Sequence, residues 1–123
     1  MSRIFLVLLV CADASLVRAI QLTQERTPAS LAEAKQLIAS GHFIEEDLKQ
    51  ARVLTCEIAL AEHVASTFVP CARALALDYP TSPEALYYAH HGAVATGDYD
   101  DARKLLEAAR EHGYPRAFMM KPA

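Results

Sequence analysis

The sequence predicts an all-α protein built of short antiparallel helical hairpins, and three observations predict it. A hydroxyl residue followed by proline opens a helix at Thr27-Pro28 and again at Ser82-Pro83. Glycines stand where helices should stop, at Gly41, Gly97 and Gly113, and the apolar residues between these marks recur at helical spacing. No strand alternation and no β-hairpin turn signal appears after residue 20. The 123 residues are 53% hydrophobic and 22% charged with only four glycines, which fits one small alanine-rich globular domain and leaves no room for a second.

Residues 1–19, MSRIFLVLLVCADASLVRA, have the layout of a secretory signal peptide. Arg3 precedes an apolar run from Ile4 to Ala12, and Val17-Arg-Ala19 supplies the small residues expected at a cleavage site after Ala19. The run is shorter than the roughly 20 apolar residues that span a bilayer. The alternative is that this segment is a helix or strand of the domain itself.

The next helix is predicted from Thr27 to Ser40, with Ser30 and Glu33 placed for a capping box and Gly41 as its stop. A long helix is expected from Ile44 to Ala65, amphipathic at first through Ile44, Leu48 and Ala51 and then apolar on most sides. Pro70 predicts a break near Thr67 to Pro70, after which a helix runs from Cys71 to Asp78. Ser82 and Pro83 begin the helix 83–96. Asp98, Asp100 and Asp101 then crowd the first turn of the last helix, where negative charge meets the positive end of the macrodipole, and Arg110 and His112 lie in its last turn. Its apolar stripe is Tyr99, Ala102, Leu105, Leu106 and Ala109. Two such helices cannot bury their stripes alone.

The segment from Ser82 to Ala117 resembles a tetratricopeptide repeat: Leu86, Gly97, Tyr99, Ala102, Leu106 and Ala109 stand where that family places its first-helix anchor, its turn glycine and aromatic, and its second-helix packing residues. Asp98, Ala109 and Gly113-Tyr-Pro-Arg-Ala117 lean toward the related Sel-one-like repeat and its inter-repeat turn. His90 and Ala93 depart from the pattern, which wants a small residue and an aromatic there. Upstream, a period of about 34 residues is kept only loosely, although Gly41-His-Phe43 echoes Gly97-Asp-Tyr99. The resemblance implies a short tetratricopeptide-like or Sel-one-like array of stacked hairpins that binds another protein or peptide and performs no chemistry. It also implies that the first helix of the last hairpin faces a partner, which nominates Glu84, Tyr87, His91 and Val94, with Tyr88 beside them. Domains of this family that clamp a C-terminal carboxylate use basic and amide residues where this chain has Tyr87 and His91, so that partner class is disfavoured.

The remaining chemistry-bearing residues assemble no catalytic or metal signature. His90 and His91 are adjacent on a helix and point about 100° apart, and neither a His-x-x-x-His pair nor a Cys-x-x-Cys is present. His63 lies two turns from Cys56, beyond direct reach of its thiol. The sequence therefore predicts no enzyme, no metal and no cofactor. A formal net charge of −3 with scattered basic residues argues against nucleic acid. Removing residues 1–19 takes away Cys11 and leaves Cys56 and Cys71 as a candidate disulfide, or as two buried thiols. The expectation is a periplasmic or secreted binding module with no membrane span after processing. The competing expectation is a cytoplasmic, structural or homo-oligomerising protein in which residues 1–24 belong to the fold.

Overall fold

The computed structural model describes residues 13–113, and these form six helices and no strand. The chain divides into two compact units between Glu62 and His63. In the first, helices α1 (Ala14–Glu25), α2 (Pro28–Ser40) and α3 (Glu45–Ala61) pack on one another. In the second, α5 (Pro83–Ala95) packs against both α4 (Ala65–Asp78) and α6 (Tyr99–Glu111). The links between packed neighbours are short, which makes them antiparallel hairpins. The apolar run from Ile4 to Ala12 and the expected turn from Tyr114 to Ala117 lie outside the described residues.

Helix α1 starts at Asp13, whose carboxylate accepts from the Ser15 N–H at 2.8 Å. Its buried stripe is Leu16, Ala19, Leu22 and Thr23, and the Thr23 hydroxyl is satisfied by donating to the Ala19 carbonyl at 2.8 Å. The helix therefore runs through Ala19, the expected cleavage point. Arg26 ends it in the left-handed conformation with φ 60°, a position usually taken by glycine. An ion pair from the Arg26 guanidinium to Glu57 ties this turn to α3.

Helix α2 begins at Thr27-Pro28 as its sequence predicts, but its capping box is closed by Thr27 and Ser30 and leaves out the expected Glu33. Thr27 Oγ1 accepts from the Ser30 N–H at 3.0 Å, while Ser30 Oγ accepts from the Thr27 N–H at 3.0 Å, with proline in the first turn. Leu31 and Ala34 from α2 join Leu16, Ala19 and Leu22 from α1 and Ala51, Leu54 and Ile58 from α3 in the core of this unit. Three acids, Glu45, Glu46 and Asp47, occupy the first turn of α3 and favour its start electrostatically. The expected amphipathic face of α3 is only partly buried: Ala51 is in the core, but Ile44 is 72% exposed and Leu48 is exposed too.

The predicted break near Pro70 falls elsewhere. The long helix stops at Ala61, His63 turns the chain with φ 60°, and α4 then runs without interruption from Ala65 through Pro70 to Asp78. Histidine tolerates the left-handed region better than most residues. Proline at the sixth helical position removes one hydrogen bond, the one owed to the carbonyl of Ser66. Ser66 is exposed, so water can serve that carbonyl. Burial of Phe68, Ala72 and Leu75 on the other side of α4 offsets the loss, at about 1.5–3 kcal/mol for each large side chain.

The last hairpin follows its sequence signals closely. Ser82 Oγ accepts from the Ala85 N–H at 3.3 Å, and Asp98 Oδ1 accepts from the Asp101 N–H at 3.4 Å. Between the two helices Gly97 has φ 81°. The Gly97 N–H donates to the Val94 carbonyl at 3.1 Å, and the Asp98 N–H donates to the Ala93 carbonyl at 2.9 Å, which closes α5 with a Schellman motif. Leu86, Tyr87, Leu106 and Ala109 form the core between α5 and α6. Tyr99 is 66% exposed and does not join the apolar stripe expected of it.

Candidate interaction surface

The helix nominated for partner contact, α5, turns most of its aromatic surface inward. Tyr87 and Tyr88 are 7% and 5% exposed. Their rings meet edge to face at 5.8 Å, Tyr88 meets Phe68 of α4 at 6.3 Å, and His91 stands perpendicular to Tyr87 at 4.7 Å. His90 is also buried, and its Nδ1–H donates to the Ala102 carbonyl of α6 at 2.8 Å. This bond accounts for an imidazole at a place where the resemblance expects a small residue: the ring spans the α5–α6 interface and is satisfied there. Glu84 is half-buried and accepts from the Ser82 hydroxyl at 3.1 Å. Of the five nominated residues, Val94 is the most exposed, at 42%. Tyr87, Tyr88 and His91 are gathered in one cluster, as packing for the hairpin more than as a presented face.

An open apolar surface exists on another side of the same unit. There α4 and α6 form the walls of a trough whose floor is α5, with a cavity volume of about 360 Å³. Leu86, Ala89 and Ala93 line the floor at helical spacing. Arg73, Ala76 and Leu77 line the α4 wall, and Asp98, Asp101 and Leu105 line the α6 wall. Leu77 is 80% exposed, the most exposed large apolar side chain among the described residues. The charges divide by wall: Arg73 stands on one side, Asp98 and Asp101 on the other. Neither Arg73 nor Asp101 forms an ion pair with another described residue.

A second hollow of about 360 Å³ lies in the first unit, lined by Ile38, Phe43, Ile44, Leu48, Ala51 and Arg52 among others. It is made by the link between α2 and α3, where Gly41 leaves room that the Phe43 ring fills; a Cβ there would run into that ring.

The trough could be suspected in the sequence from one signal. Helix α4 holds Leu75 and Leu77 together with Ala72, Ala74 and Ala76, more apolar residues than one helical stripe can bury. Which of the two leucines faces the core is marked by Phe68, which shares a stripe with Ala72 and Leu75 and falls outside a helix that starts at Cys71.

Cys56 and Cys71 are each disulfide-bonded, and Cys56 is fully buried in α3. Among the described residues no group of three histidine, cysteine or acidic side chains is placed to hold a metal ion. No described helix is long and apolar enough to cross a membrane. No protein-family model, curated protein or solved structure matches the chain.

Proposed function

We propose that this chain is a non-enzymatic helical module of tetratricopeptide-like or Sel-one-like type that binds another protein or a peptide. The observation that carries the reading is the trough between α4 and α6, with Leu77 left 80% exposed at its rim. An apolar trough flanked by charges of both signs suits a helix laid along it. Covering a leucine from this degree of exposure favours association by about 1.5–3 kcal/mol, roughly ten- to a hundredfold in affinity. The buried tyrosines make the α5 face a weaker candidate than its composition suggests. A photo-cross-linking residue placed at Leu77 in the full-length protein should give a protein adduct in cells, while the same residue at Val94 should give much less. No adduct from position 77 would remove the reading.

An oxidising compartment, periplasmic or extracellular, is proposed for its site of action. The oxidised state of Cys56 and Cys71 supports this, since such bonds persist where thiols are not kept reduced. Cleavage after Ala19 would take Leu16 and Ala19 out of the core of the first unit, so processing that spares this unit falls ahead of Asp13. The intact mass of the exported protein, measured without reductant, checks both points. Free thiols or a start near Ile20 would contradict them.

A further inference from the structure

We propose that the partner in the trough is a second copy of this chain, held across a two-fold axis. The inference rests on the protein-binding reading of the trough and adds the identity of the occupant.

A two-fold contact must be complementary to itself, so that when one residue meets a second, the second meets the first. The trough meets this requirement in shape and in charge. Leu77 rises from the α4 wall, and beside it lies a floor of Ala89 and Ala93, whose small side chains leave space for a leucine. Each copy therefore carries both the projection and the recess. Arg73 stands on the same wall as Leu77, and Asp101 stands on the opposite wall. When the α4 ridge of one copy enters the trough of the other, Arg73 of each is carried toward the acidic wall of its mate, giving two equivalent Arg73–Asp101 pairs. Both groups lack an ion partner among the described residues of their own copy, so pairing breaks no existing bridge. An unrelated helix would have to bring an acid, a base and an apolar stripe in matching order; the chain already presents all three on this face.

The test is the mass of the full-length protein by sedimentation over a dilution series, together with charge exchange. The wild type should move from monomer to dimer as concentration rises. Leu77→Glu should weaken this at least about tenfold, since it places a charge in the apolar recess. Arg73→Asp and Asp101→Arg should each weaken it by setting like charges opposite, and the double variant should recover most of the loss. Asp101 caps α6 only through its backbone N–H, so that substitution leaves the Asp98 cap in place. Circular dichroism checks that each variant keeps its helical content. A monomer at every concentration, or a dimer indifferent to all three single substitutions, would overturn the proposal. The adduct from position 77 separates this failure from that of the underlying reading. A product of twice the chain mass supports the second copy; a product with a different protein overturns the second copy and leaves the trough a protein-binding surface; no product overturns both.

Discussion

The two units use the same local signals and reach different packings. Thr27-Pro28 opens α2 and Ser82-Pro83 opens α5, each with a hydroxyl cap, and each helix ends just ahead of a glycine, Gly41 or Gly97. Counted from those caps, Leu31 corresponds to Leu86 and Ala34 to Ala89, and all four are buried. Ala51 and Leu54 of α3 likewise correspond to Leu106 and Ala109 of α6. The units part at several positions on the middle helix: the exposed Ala32 and Glu33 of α2 correspond to the buried Tyr87 and Tyr88 of α5, and a further difference bears on the contact with the last helix. His90 of α5 is buried and bonds across to the Ala102 carbonyl, whereas Lys35 of α2 holds its ammonium outside and pairs with Glu62 at 2.9 Å. A lysine cannot enter the interface as the imidazole does, and the link from Gly41 to Ile44 is extended where Gly97 makes a tight Schellman turn. The α2–α3 contact is accordingly slighter than the α5–α6 contact, and Ile44 and Leu48 remain outside. Caps fix where helices begin and end, but the residues at the interface and the turn between the helices decide how closely two of them pack.

The largest expected effects test whether each unit has its own core. Ile58→Ala in the first unit and Leu75→Ala in the second each empty a fully buried site and should cost about 2–5 kcal/mol by denaturant unfolding. If the units unfold separately, each substitution should move one transition and spare the other. Equal displacement of a single transition would show that they unfold together.

The middle-helix comparison predicts unequal costs at corresponding positions. His90→Ala removes a satisfied buried group and its packing, and should destabilise the second unit by about 1–3 kcal/mol. Lys35→Ala loses only a solvent-exposed pair and should cost less than about 1 kcal/mol. Similar values for the two, measured in parallel melts, would deny that the His90 bond helps to distinguish the units.

Glycine substitutions sharpen the point within one hairpin. Gly97→Ala forces a side chain into a left-handed turn with φ 81° and should cost about 1–2 kcal/mol. Gly92→Ala should do the opposite. The added Cβ meets the Ala72 Cβ at 3.6 Å, an ordinary contact, and replacing a mid-helix glycine favours the helix by up to about 1 kcal/mol. The matched caps should show small and equal effects: Thr27→Ala and Ser82→Ala should each cost about 1 kcal/mol, alike in the two units.

How much of this could be read from the chain follows from the range of the forces involved. Starts and stops at Thr27, Gly41, Ser82, Gly97 and Asp98 were legible because capping acts within a few residues. The turn at His63 was hidden: no glycine marks it, while Pro70 gave a local break signal that tertiary burial of Phe68, Ala72 and Leu75 outweighs. Helix α1 was masked by an apolar run that also suits a leader. Tyr87 and Tyr88 were rightly placed together on α5, but tyrosine has the same composition signal on a contact face and in a hairpin core. The trough depends on which face of α4 is buried, and a helix begun at Cys71 omits Phe68, the residue that with Ala72 and Leu75 marks that face.

Backbone hydrogen exchange of the full-length protein, compared between dilute and concentrated samples, tests the central claim most directly. The account predicts added protection on concentration in the half of α4 that holds Arg73 and Leu77 and in the first turn of α6, with the first unit unchanged. Protection gained around Ile44 and Leu48 instead, or none at all, would contradict it.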